Sequence, residues 1–464
     1  MIPIFLLMLI VPAVALAIIP FTKRSSKKVI IGSSFLGVLS ALYMLYSYLS
    51  GNVLVPESYN YISALGIKFG LSSTPISAIF ILLSSIVIFA ASLSIGIDSR
   101  HKRLASELMA LFQLAATGIF LSSNLFMFFI FWDVGVIAMF FMIYLLGSSG
   151  RRRAAMRFLM YEIFASTMLF LAIILLFSFL GTADIPTIMQ LASGLSPTHQ
   201  LEVFVPFLLA FMVNMPIFPF HAWLPDAHTE ASTEGSMVLS GVLTKFGGFG
   251  MLLVFAILPI TGLYAPYVAA LAVISAIYSA FALMRQTDMK RIVAYSTVVE
   301  MGVIMVAISS STALGTAGAV VAMLAHALTV SFMFLVVAML HKTFGERDVR
   351  LLKGSVIEAP GLSYAFVFGV LAMVGLPLTI GFAGDLLLFM GAFSAFGILG
   401  LLPLAAIALM GASLYLVLQK SILGAREHST AIDIAGVLPM AAGVVLASFI
   451  LLFGFLPHLI TSIL

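Results

Sequence analysis

Five ionisable side chains lie in long apolar stretches of this sequence, where such residues are rare. They occur at similar depths in five different stretches: Asp133, Lys245, Glu300, His326 and Asp385. A charge at the centre of a hydrocarbon layer costs roughly 2.5–3.5 kcal/mol on insertion scales, so these positions usually mark an ion pathway. Acids, an amine and an imidazole at matched depth could pass protons among themselves with water between them.

Each of these residues also has a purely structural interpretation. A single buried acid could stay protonated and accept one hydrogen bond, and His326 could join two helices as a neutral ring. Lys245 fits such an interpretation least well, because a buried ammonium group needs a counter-charge. Five residues at one depth therefore favour a transport pathway over five unrelated structural contacts.

The elements that must position them are membrane-spanning helices. Of the 464 residues, 62% are hydrophobic and only 9% are charged, and a spanning helix needs about 20 apolar residues. We predict an all-α integral membrane protein with no separate soluble domain and the N-terminal stretch retained as helix 1. Its fourteen helices, numbered in order, are 1–20, 29–49, 73–96, 104–122, 124–146, 157–180, 203–220, 232–258, 266–284, 291–309, 316–340, 361–390, 396–419 and 436–463.

The lysines and arginines predict how the helices are oriented. All but two of the 22 follow odd-numbered helices. The exceptions are Lys68, on the opposite side, and Lys245, inside the membrane. Basic loops stay in the cytoplasm, so we predict a multi-pass protein of the cell membrane with both termini outside. The basic residues are Lys23, Arg24, Lys27, Lys28, Arg100, Lys102, Arg103, Arg151, Arg152, Arg153, Arg157, Arg285, Lys290, Arg291, Lys342, Arg347, Arg350, Lys353, Lys420 and Arg426.

Composition also excludes several functional classes. The chain has no cysteine, so it has no disulfide, thiolate metal site or iron–sulfur cluster of its own. It has no glycine-rich dinucleotide fingerprint and no phosphate-binding loop, and its eight histidines form no cluster with carboxylates. We therefore predict no bound metal, no cofactor and no redox role for the chain itself. The net charge of +4 needs no nucleic-acid partner, because it reflects membrane orientation.

Two predicted helices are interrupted near their middles. Helix 7 ends in Asn-Met-Pro-Ile-Phe-Pro at 214–219, and helix 12 contains a Gly-Leu-Pro sequence at 375–377. Such breaks persist in a bilayer only where protein or water satisfies the freed backbone groups, and paired breaks indicate an ion path. Because the breaks are five helices apart, we predict two inverted five-helix repeats. The predicted divisions are 1–103 (helices 1–3), 104–258 (helices 4–8), 259–419 (helices 9–13) and 420–464 (helix 14).

Polar residues before and at the start of helix 8 suggest a funnel through which ions enter from the cytoplasm. A solvated loop is an equally good interpretation of the same residues. The candidates are His221, Asp226, His228, Glu230 and Glu234.

Three motifs resemble a known family. The segment 220–236, leading to the Gly-Val-Leu-Thr-Lys sequence at 241–245, is similar to the antiporter-like subunits of respiratory complex I, membrane-bound hydrogenases and Mrp cation/proton antiporters. The segments 288–296 and 375–385 look like two further signatures of that family, in the same order. The resemblance covers helices 3–13, and it implies a fourteen-helix fold with inverted repeats of helices 4–8 and 9–13.

The resemblance also implies roles for individual residues. The acid of helix 5 falls on Asp133, the lysine of helix 8 on Lys245, the histidine of helix 11 on His326 and the acid of helix 12 on Asp385. Glu300 is similar to the hydrogenase-type members.

Asn214 departs from the family, which usually has a lysine in helix 7 paired with the acid of helix 5. The resemblance then leaves two alternatives. Either the N-terminal half is impaired as a pump, or Asp133 responds to Lys245 instead.

The resulting functional prediction is a non-redox, ion-translocating subunit, moving protons or sodium, of a redox-driven membrane complex. Its predicted partners are other antiporter-like and small membrane subunits, a peripheral Fe–S redox arm and the lipid bilayer. Two alternatives stay open. One is a subunit of an Mrp-type cation/proton antiporter, and the other, motivated by Asn214, is a structural subunit that has lost transport.

Overall fold

The computed structural model describes residues 4–22, 25–63, 67–98, 101–352, 354–422 and 436–464. Within them each predicted helix has a counterpart, and α1–α14 keep the predicted order. The bounds are α1 Ile4–Ile18, α2 Ser26–Leu49, α3 Pro75–Ser94, α4 Lys102–Leu121, α5 Leu125–Leu146, α6 Arg151–Leu180, α7 Pro197–Asn214, α8 Thr233–Ile257, α9 Thr261–Met284, α10 Met289–Ser309, α11 Ala313–Phe344, α12a Pro360–Met373, α12b Ile380–Phe396, α13 Pro403–Ser421 and α14 Val437–Phe455.

The predicted all-α membrane class is confirmed, with small additions. In the described residues, 13 helices are long and apolar enough to cross a membrane. Helix α7 is not among them, since its first turn contains Thr, His and Gln. An antiparallel hairpin of β1 (Glu57–Ile62) and β2 (Ile67–Leu71) links α2 to α3 and was not predicted. The described residues also contain four short α-helices, Ile185–Leu191, Leu224–Glu230, Ser355–Glu358 and His458–Thr461, and three 3₁₀ helices, Ile19–Phe21, Ala192–Gly194 and Gly397–Leu401.

Most of the described basic residues lie on the first turns of helices, not in loops. Helix α6 begins at Arg151, six residues earlier than predicted, so its arginine cluster is helical. Helix α10 begins where the Asp288 carboxylate accepts hydrogen bonds from the backbone N–H groups of Lys290 (2.8 Å) and Arg291 (3.2 Å). The basic residues Lys23, Arg24, Arg100, Lys353 and Arg426 lie outside the described residues.

Central and peripheral helices differ sharply in burial. The apolar windows of α10 and α11 are 89% and 100% buried, whereas those of α12b and α14 are each 22% buried. Glu300 lies on α10 and His326 on α11. The helices that carry these two titratable groups therefore form the centre of the molecule, and the outer helices present large apolar side chains outward.

Both predicted helix breaks are present. Helix α7 ends at Asn214, and the chain turns through 215–223 before the helix Leu224–Glu230. There Trp223 Nε1 donates to the carbonyl of Val213 at 3.1 Å. Helix α12 is interrupted between α12a and α12b, where Gly375 adopts a φ of +74°. A Cβ at Gly375 would lie 2.6 Å from Asp385 Oδ2, so the break needs glycine to make room for that carboxyl group.

A third irregularity was not predicted. Within α8, residues Leu239–Leu243 form a π-helical segment directly before Lys245. Single π turns inside α-helices occur frequently at functional sites. The division into two inverted repeats stays a prediction.

Candidate ion-translocation site

Lys245 is fully buried on α8, just after the π segment. Its Nζ donates to the carbonyl of Ser240 at 2.8 Å and to Thr244 Oγ1 at 3.2 Å. The same Nζ lies 2.5 Å from Nδ1 of His326 on α11. Among the described residues, the side-chain amine has three hydrogen-bond partners, none of them an acid, and the one that lies outside α8 is an imidazole that can itself carry a proton.

A small cavity continues from His326 toward two acids. It has a volume of about 30 Å³, and its walls include His326, Glu300 and Asp385. By volume, that is room for about two water molecules. Nε2 of His326 has no hydrogen-bond partner among the described residues. The structure thus brings together Lys245, His326, Glu300 and Asp385, four of the five predicted residues.

Charge couples these residues without direct ion pairs. Glu300 is the carboxyl group whose charge acts on Lys245, and Asp385 in turn acts on Glu300. No ion pair within 4 Å in the described part of the chain includes any of the three. The amine and the acids are therefore separated by the imidazole and the cavity, an arrangement suited to stepwise proton transfer.

Asp133 lies apart from this group. It is half-buried on α5 and accepts a short hydrogen bond from the hydroxyl of Ser166 on α6. No described contact joins Asp133 to Lys245, whose amine instead contacts His326. The alternative in which Asp133 responds to Lys245 therefore has no support in the described contacts. The charge of Asp133 acts instead on the carboxyl group of Glu162.

Glu162 is a site residue that sequence reasoning missed. It is fully buried on α6, and its Oε1 faces Nδ2 of Asn214 at 3.4 Å. The Oδ1 of Asn214 accepts the N–H of Gly247 on α8 at 3.0 Å, which fixes the orientation of the amide. A signal was available, because Glu162 interrupts an apolar stretch of helix 6 as Asp133 interrupts that of helix 5.

Two residues of the predicted funnel make structural contacts. Asp226 forms a close ion pair with Arg157, and its other oxygen lies 3.4 Å from Arg291. Glu230 accepts a short hydrogen bond from Ser148 and another from the N–H of Gly150 at 2.8 Å. These acids therefore join the Leu224–Glu230 helix to α6 and α10 and to the α5–α6 link.

The other three funnel residues are buried. His228 stacks on Phe334 with ring centroids 4.5 Å apart, and neither ring nitrogen has a hydrogen-bond partner in the described region. Burial lowers the pKa of His228, and the nearby Lys290 and Lys245 lower it further. Burial also lowers the pKa of His221. Glu234 is fully buried in the first turn of α8 and does not precede that helix. Their role in ion entry stays a prediction.

Lys290 has surroundings that the sequence did not predict. It was counted among the basic residues of a cytoplasmic loop, yet it is only 4% exposed. Its Nζ donates to the carbonyl of Ala231 at 2.8 Å, and the charges of Asp98, Asp288 and Glu234 act on it favourably. A buried position at the start of α10 gives this lysine a packing and electrostatic role.

The fold and the site together define a class: a polytopic helical membrane protein with two interrupted helices and a row of titratable groups in its interior. Residues 122–411 match the family described as NADH:quinone oxidoreductase/Mrp antiporter, TM. The match covers more than half of the chain, and the chain belongs to this family of antiporter-like membrane proteins.

Curated relatives agree with this assignment. The chain is 33% identical over 366 residues to "NADH-quinone oxidoreductase subunit M" of Rickettsia conorii, covering 77% of this chain and 74% of the relative. It is 30% identical over 443 residues to the protein of the same name from Rickettsia prowazekii, covering 93% and 89%.

Solved structures share the fold. A chain of respiratory complex I from Thermus thermophilus matches with a TM-score of 0.90 at 24% identity, covering 99% of this chain and 98% of that one. A chain of the archaeal membrane-bound sulfane sulfur reductase matches at 0.89 and 23%, covering 98% and 76%. A chain of the Mrp complex from Dietzia sp. matches at 0.87 and 23%, covering 99% and 51%. At these identities the likeness concerns the fold alone.

Proposed function

We propose that the chain is an ion-translocating, non-redox membrane subunit of a multisubunit complex driven by electron transfer. The observation that carries the proposal is the contact of 2.5 Å between Lys245 and His326, beside a cavity bounded by Glu300 and Asp385. Membership of the family and relatives named as subunit M of NADH-quinone oxidoreductase support it. A change of charge in a neighbouring subunit would alter the proton affinity of this row and move an ion along it.

The test is Lys245→Ala in the intact complex, reconstituted in vesicles. We expect ion movement coupled to electron transfer to be abolished while electron transfer largely persists. The matched control is Lys342→Ala, which removes an exposed lysine from α11. Unchanged ion movement in the Lys245→Ala vesicles would refute the proposal.

A second candidate function is a subunit of a cation/proton antiporter driven by an ion gradient. The similarity to a chain of the Mrp complex favours it. Purification of the native complex separates the two functions. Co-purified redox subunits that contain Fe–S clusters support the first proposal, and a set of partners without redox centres supports the second.

A third candidate is a structural subunit, since Asn214 replaces the lysine expected at this position. The substitution Asn214→Lys tests it, with Asn214→Leu as the control. Both variants lose the acceptor for the Gly247 N–H, but only the lysine adds a charge. A change in the ratio of protons moved to electrons transferred that is specific to Asn214→Lys argues for an active N-terminal half; a purely structural subunit responds to neither.

The proposal also covers the partner subunits and the orientation of the chain in the membrane. The partners would be further antiporter-like and small membrane subunits, a peripheral Fe–S arm and the lipids of a prokaryotic cell membrane. The basic residues at the starts of α2, α4, α6 and α10 would face the cytoplasm, which places both termini outside. Protease accessibility of tags at each terminus, in vesicles of known orientation, tests this arrangement.

A further inference from the structure

Glu162 is a buried carboxyl group that the path through Lys245 does not use. It lies on α6, which packs against both α5 and α7. Its Oε1 receives a long hydrogen bond of 3.4 Å from Asn214, and its Oε2 has no hydrogen-bond partner among the described residues. A fully buried carboxyl oxygen without a partner is costly, and charging it would cost far more.

Asp133, on α5, contacts the face of α6 that also carries Glu162. Ser166 lies four residues after Glu162, so the two side chains share one face of the helix. The hydroxyl of Ser166 donates to Oδ1 of Asp133, and the charge of Asp133 acts on Glu162. Two carboxyl groups from adjacent helices thus lie at one face of α6, Glu162 fully buried and Asp133 half-buried.

The described surroundings supply no cation to this pair. None of the ion pairs in the described part of the chain includes either acid. Helix α5 has no other charged residue, α7 contributes the neutral Asn214, and the charged groups of α7 lie in its first two turns. On α8, Lys245 is engaged with His326. The charged and titratable groups on the remaining neighbour, Leu224–Glu230, are engaged elsewhere: Asp226 with Arg157, Glu230 with Ser148, and His228 stacked on Phe334.

We propose that Glu162 and Asp133 are an electrostatically coupled pair that holds one proton at rest, carried by Glu162, and that this pair is the proton-carrying site of the N-terminal half. It would replace the carboxylate–lysine pair that the family resemblance implies. Two carboxyl groups whose charges act on each other in a poorly solvated region cannot both ionise easily, so Glu162 would bind a proton tightly and release it when a cation approaches. The Asn214 amide would stabilise the pair without adding charge. The inference rests on the proposed function, since it assumes that the chain moves protons.

Infrared spectroscopy of the whole complex in lipid tests the resting state directly. The spectrum of the wild type minus that of Glu162→Gln should contain the C=O stretching band of a protonated carboxyl at neutral pH. Because the charge of Asp133 acts on Glu162, Asp133→Asn should shift that band. A missing band, or a band unmoved by Asp133→Asn, overturns the proposal.

Chemical labelling with dicyclohexylcarbodiimide, which adds to protonated buried carboxyls, provides a second readout by mass spectrometry. Placing an ammonium group beside Glu162 with Asn214→Lys should lower its labelling about tenfold at pH 7, because a nearby opposite charge favours the ionised acid. Asn214→Leu loses the same hydrogen bonds without adding charge and should stay labelled. Equal labelling of the two variants contradicts the proposal.

The functional readout separates this inference from the proposed function. Glu162→Gln keeps the size of the side chain, so we expect electron transfer to persist while fewer protons move per electron. An unchanged proton-to-electron ratio contradicts a transport role for Glu162. If Lys245→Ala leaves proton movement intact, the proposed function fails, yet the infrared band of Glu162 remains measurable. If Lys245→Ala abolishes movement and the band is absent, only the inference about Glu162 fails.

Discussion

Nζ of Lys245 and Nδ1 of His326 lie 2.5 Å apart in the centre of the molecule. When Lys245 is an ammonium group it only donates hydrogen bonds, so Nδ1 then accepts and the neutral ring carries its proton on Nε2. Nε2 has no partner in the described part of the chain, and His326 borders the cavity that Glu300 and Asp385 also border. One ring can thus receive a proton from the amine and release one toward the acids.

The first prediction separates proton transfer at His326 from its structural role. In His326→Gln the amide can still accept from Lys245, but it cannot bind and release a proton. We expect this variant to keep its thermal stability and to lose coupled ion movement at least about tenfold. His326→Leu should lose both, with stability lower by about 1.5–3 kcal/mol because the buried ammonium loses a partner. Thermal unfolding of the complex and ion movement in vesicles are the measurements.

The exposed His458 supplies the control for this experiment. His458→Gln should behave as the wild type in both assays. Normal ion movement in His326→Gln would show that the imidazole carries no proton.

The second prediction concerns the end of α3. Lys27 Nζ donates to the carbonyls of Leu93 (2.9 Å) and Ile95 (2.7 Å), which lack partners within the helix. Lys27→Ala should therefore destabilise this end of the bundle by about 1–2 kcal/mol. The neighbouring Lys28 is exposed, so Lys28→Ala removes the same charge without these contacts. Thermal unfolding of the two variants should differ; equal midpoints would mean that the lysine cap contributes nothing.

The third prediction is a pH dependence caused by His228. Burial and two nearby lysines lower the pKa of His228 below its ordinary value of 6.5. The unfolded chain then binds a proton that the folded protein does not, so stability falls as the pH drops below about 6.5. The loss is at most about 1.4 kcal/mol per pH unit. His228→Gln removes the titrating group and should flatten this part of the stability curve. Thermal unfolding between pH 7 and pH 5 tests it, and parallel curves for the two proteins would contradict it.

The membrane class and the main row of charges could be predicted because bilayer insertion imposes strong rules on sequence. Length, apolarity and the placement of lysines and arginines predict helices, and an ionised residue inside one of them is conspicuous. Lys245, His326, Glu300 and Asp385 were found in this way, and the structure brings them together. That Asn214 departs from the family stays a prediction.

The partners of these residues could not be predicted, because they depend on how helices rotate and pack. Helical periodicity alone does not tell that Asn214 reaches Glu162 on α6 and Gly247 on α8. Lys290 has the sequence context of a loop anchor, yet tertiary packing buries it. Ser166 is an ordinary serine until the interface with α5 places it beside Asp133.

The π segment Leu239–Leu243 offsets everything after it by one residue relative to the first turns of α8. If the π segment shifted by one residue toward the carboxyl end of α8, the side chain that it passes would rotate by roughly 100° about the helix axis. Ser232 caps the start of the helix, and Gly247, two residues after Lys245, is tied to Asn214. Lys245 lies just after the π segment. A shift of that segment along α8 could therefore rotate the amine away from the imidazole of His326 and back while the rest of α8 stays helical.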